Sequence, residues 1–483
     1  MSVKEDNALI WANQGYDGGL VTNVPAHALD GDQSPDAENF DPTQRYMLKK
    51  RLGTSNFSGT NGAPTGTLIR GLAGITYENG TTEIIAKEGT AIYNITAGNW
   101  STTITGHPAL VDGDDVHFTM YKNVLIMTSE RATPMAPQKK SAAGTFSNLG
   151  GSPPSAKYCI VHKGRLFLMC TAADPSRVYF SAINNHEDWS SADNAGNFYI
   201  APGDGMVING CSSDGENLYI SKIAPGASNG AIFMVYGDGP SSFNWRRISW
   251  FGAVNSRAWA VNQSYVAVAT QQGIFALSAN RLQHLSQAVN ADWLALTDAQ
   301  RQACTMASYK SQIWVAYPAS GATNTKALVF DTFWQRWSRY NPVTARILMT
   351  HPDGSMYGAS ASATMKVLKY NTGSQDESVD ITMYWYTPDL DFGAWYQDKK
   401  WTNLYLHCKS QSVTYTIDSL IDGSDTGDAP TIAAATDAPV KRIVGKGGLA
   451  RGRFLRIGFS ETSAVTSEVY GLEVEAQAFP RGQ

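Results

Sequence analysis

From about residue 67 onward, short runs of alternating apolar and polar residues come in fours, and the fours recur roughly every 40 to 50 residues. The first group holds runs at 68–77, 83–87, 91–96 and 100–104, separated by Asn79-Gly80, Glu88-Gly89 and Gly98-Asn99. Asn-Gly between alternating runs is a strong hairpin signal, because both central residues of the favoured turn need positive φ. The grammar returns at 116–149 (more weakly marked), 159–201, 207–248, 258–286 and 304–340, and a partial group spans 346–370. A four-stranded unit repeated at this period is what a β-propeller writes into sequence, since no unit can bury both faces alone. No strand–helix alternation occurs, so α/β folds are excluded.

The expected architecture is therefore all-β, with about six blades over 67–377. Residues 1–66 differ: they carry turn signals such as Asp17-Gly18-Gly19 and Ser34-Pro35-Asp36, yet Trp11, Tyr16, Leu20 and Phe40 are too apolar for a disordered tail. They read as an extended arm wrapped on the scaffold. After about 378 the runs lengthen (379–387, 399–408, 412–421, 453–459 and 469–476), which predicts a C-terminal β-sandwich over 378–483. One helix is expected, at Thr297-Asp298-Ala299-Gln300, where Thr and Gln fit a capping box.

Composition narrows the function. Lysine and arginine number 38 against 42 acidic residues, a net charge of −4. That excludes a chain whose work is sequence-independent nucleic-acid binding through a basic surface. No apolar run reaches the roughly 20 residues that span a bilayer, and the polar start has no secretory h-region, so neither a membrane anchor nor a signal is expected. The five cysteines are odd in number and scattered, which predicts free thiols packed in strands and folding in a reducing compartment.

No catalytic constellation stands out. Asp30, Asp32, Ser34, Glu38 and Asp41 imitate a calcium loop, but Pro35 sits where the sharp turn needs Gly. Asp112-Gly113-Asp114-Asp115 and Asp422-Gly423-Ser424-Asp425 read as ordinary acidic turns. A glycosidase needs two carboxyls facing across a cleft, and sequence pairs none here. Gly358-Ala359-Ser360-Ala361-Ser362 lacks the last Gly of a nucleophile elbow, and Gly445-Lys446-Gly447-Gly448 lacks the frame of a phosphate loop. The expectation is no enzyme, no cofactor and no metal. Two basic concentrations remain. Lys441, Arg442, Lys446, Arg451, Arg453 and Arg456 form a candidate partner- or DNA-facing patch with no acid among them; Lys49, Lys50 and Arg51 are candidates for docking the arm.

Three motifs in the arm carry a resemblance: Gly18-Gly19-Leu20-Val21-Thr22, Ser34-Pro35-Asp36-Ala37-Glu38-Asn39-Phe40-Asp41, and Lys50-Arg51-Leu52-Gly53-Thr54. With Val178-Tyr179-Phe180-Ser181, Glu187-Asp188-Trp189 and Ile200-Ala201-Pro202-Gly203-Asp204-Gly205, they resemble the tail nozzle or hub proteins of short-tailed bacteriophages, also called packaged-DNA stabilisation proteins. The resemblance implies a virion structural protein located in the tail and assembled in the host cytoplasm. It implies a homohexameric ring below the portal that meets the head-to-tail adaptor and anchors tail fibres or spikes. Viral double-stranded DNA would pass its lumen without sequence specificity and be ejected when the ring opens. The alternative is a carbohydrate-binding or glycan-degrading propeller acting as a phage receptor-binding component, suggested by aromatic-rich loops such as the one bearing Trp395.

Overall fold

A computed structural model describes residues 8–13, 15–59, 64, 68–191, 194–226, 229–263, 265–278, 281–361, 365–409, 413–425, 431–433, 440–444 and 451–479. The chain is all-β. Six sheets each hold four antiparallel strands in chain order. The first comprises Ile69–Thr76, Thr82–Glu88, Ala91–Asn94 and Thr102–Ile104. The next four span 116–148, 158–199, 207–249 and 259–284, and the sixth ends at Arg336–Tyr340. A seventh set begins with Ala345–Thr350, Met356–Ser360 and Val367–Tyr370 and takes its fourth strand from the arm, where Thr54–Asn56 pairs antiparallel with Val367–Tyr370. The first strands of successive sets lie side by side, and Ala345–Thr350 packs against Ile69–Thr76. Repeated four-stranded antiparallel sheets of this kind are consistent with a propeller.

The second strands show why such a chain closes on itself. Every residue of Arg165–Met169, Val266–Thr270, Gln312–Tyr317 and Met356–Ser360 is buried, so both faces of these strands are covered by neighbours. Burial on both faces removes strict alternation, which is why these strands read as nearly continuous apolar runs. The turns obey local chemistry: Gly80, at φ 82°, closes the first hairpin where a side chain would be strained. Glycine also sets spacing where the seventh set meets the first, because a Cβ at Gly74 would lie 2.6 Å from the His351 ring and 2.8 Å from Met349 Sδ.

One strand was hidden from the sequence. Gln138–Lys140 is the third strand of the second sheet, and only Ser147–Asn148 of the expected run at 144–149 is strand. Its residues look like loop, yet Gln138 and Lys140 are buried. The Lys140 ammonium is 2.6 Å from Glu83 of the first sheet, so polar side chains are satisfied between sheets rather than in water. The helical segment holds Asn290–Leu294 and Asp298–Gln302; the Thr297–Gln300 capping box is present, and buried Trp293 donates its indole N–H to the Thr270 carbonyl at 2.9 Å.

Beyond residue 378, Val379–Tyr386, Leu455–Ser463 and Thr414–Ile421 pair in one sheet. Asp398–Cys408 and Glu468–Phe479 pair in another, with Val440–Val444 at one edge and the arm strand Ala8–Asn13 at the other. Trp385, Ile417 and Phe459 of the first sheet share a buried cluster with Leu404, Leu472 and Val474 of the second. Each such side chain contributes roughly 1.5–3 kcal/mol by leaving water. Among the described residues the five cysteines are free thiols, four of them buried. No helix of the described residues is long and apolar enough to cross a membrane.

Candidate functional site

The arm motifs sit on the seam between the repeated sheets and the C-terminal sheets. Ala37–Glu38 pairs with Val379–Tyr386, and Leu48–Lys49 pairs with Glu468–Phe479. Ser34 donates its hydroxyl to the Tyr386 carbonyl at 2.7 Å. The Asn39 amide donates to the Asn341 carbonyl at 2.7 Å and the Thr382 carbonyl at 2.8 Å, touching both units at once. Asn39 holds φ 64°, a conformation asparagine tolerates better than most residues. Glu38 receives Lys326, and Arg339 of the sixth sheet reaches Asp36 at 2.8 Å.

Lys50 and Arg51 are both buried. The Lys50 ammonium lies 2.8 Å from Glu461, with neither side chain exposed; Arg51 binds Asp376 at 2.5 Å and donates its Nε–H to Asn39 at 2.7 Å. Lys49 is half-buried at the edge of the Glu468–Phe479 strand.

Of the C-terminal basic residues, the side chains of Arg451, Arg453 and Arg456 are described. Arg451 and Arg453 precede the strand that starts at Leu455 and are exposed; the Arg451 guanidinium stacks 3.8 Å over the Phe479 ring. Arg456 is half-buried and bound to Asp389 at 2.8 Å. Lys441 and Arg442 belong to the strand Val440–Val444, and Lys446 lies outside the described residues.

A different charged cluster lies where the first strands converge. Asp115, one residue before the first strand of the second sheet, is held by arginines from three other sets. Arg346 reaches it at 2.7 and 2.9 Å, Arg70 at 3.4 Å, and Arg257 also binds it. All four stand at the start of their first strands or just before, hence at the same end of the sheets. Beside them Arg131 binds Asp114, and Glu130 binds both His117 and Ser256. Buried Lys87 pins the loop carrying Asp115, donating to the carbonyls of Val111, Asp112 and Asp114 at 2.9, 3.2 and 2.8 Å. Burial and then nearby Arg70 push the Lys87 ammonium down to about 8, against the pull of the loop aspartates. Burial alone would raise the Asp115 carboxyl, but Arg257 and Arg346 more than reverse it and hold it at about 2.

This cluster was read from sequence only as an acidic turn. The available signal was positional: Arg70 and Arg346 are each the second residue of a first strand, a coincidence visible only once the repeats are aligned. It carries a pH prediction. A carboxyl depressed from 3.8 to about 2 contributes about 2 kcal/mol that is fully present above pH 4 or so and is lost as pH falls through about 2. Urea midpoints measured between about pH 5 and pH 2 should show this loss in the parent protein, and a smaller one in Asp115→Asn.

A groove of about 400 Å³ opens between the arm and the fifth and sixth sheets. Gln33, Gln283, Gln287, Gln335 and Asn23 line it above Trp337 and Phe330, with no Asp, Glu, Lys or Arg in its wall. Among the described residues no group of three or more His, Cys, Asp or Glu is placed to hold a metal ion.

No family model matches the sequence, and no curated protein does. Solved structures do resemble the chain. The extracellular domain of a hybrid two component system from B. thetaiotaomicron is 11% identical, at a TM-score of 0.45 over 85% of this chain and 58% of that one. An exo-beta-1,3-galactanase from Phanerochaete chrysosporium is 9% identical, at 0.29 over 84% and 100%. A glycoside hydrolase is 11% identical, at 0.28 over 85% and 99%. These neighbours correct one expectation: with glycoside hydrolases among them, the chain is not to be classed as a non-enzyme on its sequence. Scores this low carry no active site across, and no residue here is assigned a catalytic role by them.

Proposed function

We propose that this chain is a structural subunit of a bacteriophage tail, of the nozzle or hub kind, in which seven blades form a β-propeller joined to a β-sandwich by the N-terminal arm. The observation that carries the reading is the use of the arm motifs. The residues that resemble the phage proteins are those that fasten the two units: Ser34, Asp36, Glu38, Asn39, Lys50, Arg51 and Thr54 all make bonds across the seam. A channel subunit under load gains from this, because force on one unit passes to the other through buried ion pairs and strand pairing instead of through a hinge.

On this reading six copies form a ring between the head-to-tail adaptor and the fibres or spikes, built in the host cytoplasm and carried in the virion. A net charge of −4 suits a conduit through which a polyanion must slide without tight phosphate pairing. Electron micrographs of the purified full-length protein should show six-fold rings. A chain that stays monomeric at every concentration and is missing from particles would sink the proposal.

A second reading, a carbohydrate-binding receptor component, is favoured by the amide-lined groove. Planar amides over aromatic residues suit a neutral sugar, offering paired donors and acceptors to hydroxyls without an ionic cost. A glycan array decides it: retention that vanishes in Gln335→Ala supports this reading, and a blank array removes it.

A further inference from the structure

We propose that the strand Asn244–Ser249, the outer edge of the fourth sheet, takes up an acidic extended segment of a partner protein as a fifth strand. This goes beyond the tail reading and does not depend on it. The strand pairs with Gly230–Tyr236 on one side and, among the described residues, with no strand on the other. Outer strands elsewhere are short or covered. Those of the first, second, third and fifth sheets run two to four residues, a common way to blunt an edge. The sixth is covered by the arm, whose Asn39 N–H donates to the Arg339 carbonyl at 2.7 Å, and the seventh is the arm strand Thr54–Asn56 with Gln375–Asp376 beside it. At six residues, Asn244–Ser249 keeps the longest open row of backbone donors and acceptors among the described strands, and an extended peptide recognises such a row.

Side chains set what that peptide must carry. Arg246 and Arg247 stand opposite Met234 and Phe233 in the register, so they leave the strand on opposite faces, and both are exposed. From Gly239 to Ala291 the chain holds four arginines and no Asp or Glu, so neither the strand nor the fifth sheet supplies an acid. Of the described acids in the segment carrying the third and fourth sheets, Asp174, Glu187, Asp204, Glu216 and Asp238 pair with a lysine or with Arg177, and Asp188 and Asp214 bind hydroxyls. Arg247 instead stacks 4.2 Å over the Trp250 ring and 5.4 Å over Phe233. Trp250 is 80% exposed, an aromatic anchor at the end of the strand. Guarding the edge against aggregation accounts for the arginines but not for an exposed indole. A second copy of the strand is a poor occupant, because antiparallel pairing about its centre sets Arg246 opposite Arg247, and like charges so placed destabilise the pair. Two neighbouring carboxylates on an incoming strand reach both arginines, one on each face, as charge-assisted hydrogen bonds.

The test is fluorescence anisotropy of the full chain with a short labelled peptide of threonine and valine carrying a central Glu-Glu pair. Saturable binding of one peptide per chain is expected. Replacing the pair by Gln-Gln should weaken it by about tenfold or more, the effect of one charge-assisted hydrogen bond. Arg246→Glu combined with Arg247→Glu should lose the acidic peptide and gain its Lys-Lys counterpart. If that variant fails to fold by circular dichroism, Arg247→Gln is read in its place, with a loss of about tenfold. N-methylating the central backbone amides leaves the charge of the peptide intact but removes its donors to the edge, so this probe should bind far more weakly. Absence of saturable binding to the parent protein overturns the proposal. So does an N-methylated peptide that binds as tightly as the plain one, or an oligothymidine that binds where the peptide does not; either result marks a surface for polyanions in general rather than an edge that pairs with a strand.

Discussion

Lys50→Ala is expected to destabilise the protein by about 3–5 kcal/mol, the cost of leaving an uncompensated charge in the interior. Glu461, the partner, has no exposed side-chain surface, so it cannot recover solvation when the ammonium is removed. Lys50 also donates to the Ser463 carbonyl at 2.8 Å and its hydroxyl at 3.0 Å, and those acceptors lose their partner as well. The energy is thus a property of the pair. Lys50→Met combined with Glu461→Gln should recover most of the loss, since the amide can accept from one of the hydroxyls of Ser467 and Ser463 and donate to the other. Guanidinium denaturation of the parent, the single and the double variant checks this. A single variant as stable as the parent would mean that the arm is not held there.

Gly53→Ala should cost about 3 kcal/mol, near the upper end for an added methyl group, because the obstacle is backbone. A Cβ at this position would lie 1.9 Å from the Gln375 carbonyl oxygen and 2.7 Å from the Gln375 nitrogen. Neither atom moves without opening the turn in which the Gly53 N–H donates to Gly373 and the Thr372 N–H donates to Gly53. The neighbours would follow: Arg51 and Thr54 both bind Asp376, one residue beyond the clash. The expected result is a lower melting temperature together with early proteolytic release of the arm. Gly80→Ala is the control. It carries a positive-φ penalty that Gly53 does not, but has open space around its Cβ, so about 1 kcal/mol and an intact arm are expected.

The repeated sheets were legible because their strands carry local signals. Asn79-Gly80 marks a hairpin whatever surrounds it, and the Thr297–Gln300 box caps its helix through bonds only three residues apart. The candidate site was not legible in the same way. Asp114-Asp115 is indistinguishable from a solvated turn until Arg257 and Arg346, 142 and 231 residues away in sequence, arrive beside it. Gln138–Lys140 was lost for a related reason, since its buried lysine is neutralised by Glu83 from another sheet and leaves no apolar pattern to detect.

By itself the sequence determined the all-β class, the rhythm of four-stranded units and the positions of most turns, because hydrophobic period and turn chemistry act over a few residues. Tertiary structure alone decided that Thr54–Asn56 supplies the last strand of the seventh set, that Lys50 and Arg51 lie inside the molecule, and that three arginines meet over one aspartate. Those outcomes depend on pairing and charge between distant segments, and electrostatic partners leave no periodic trace along a chain.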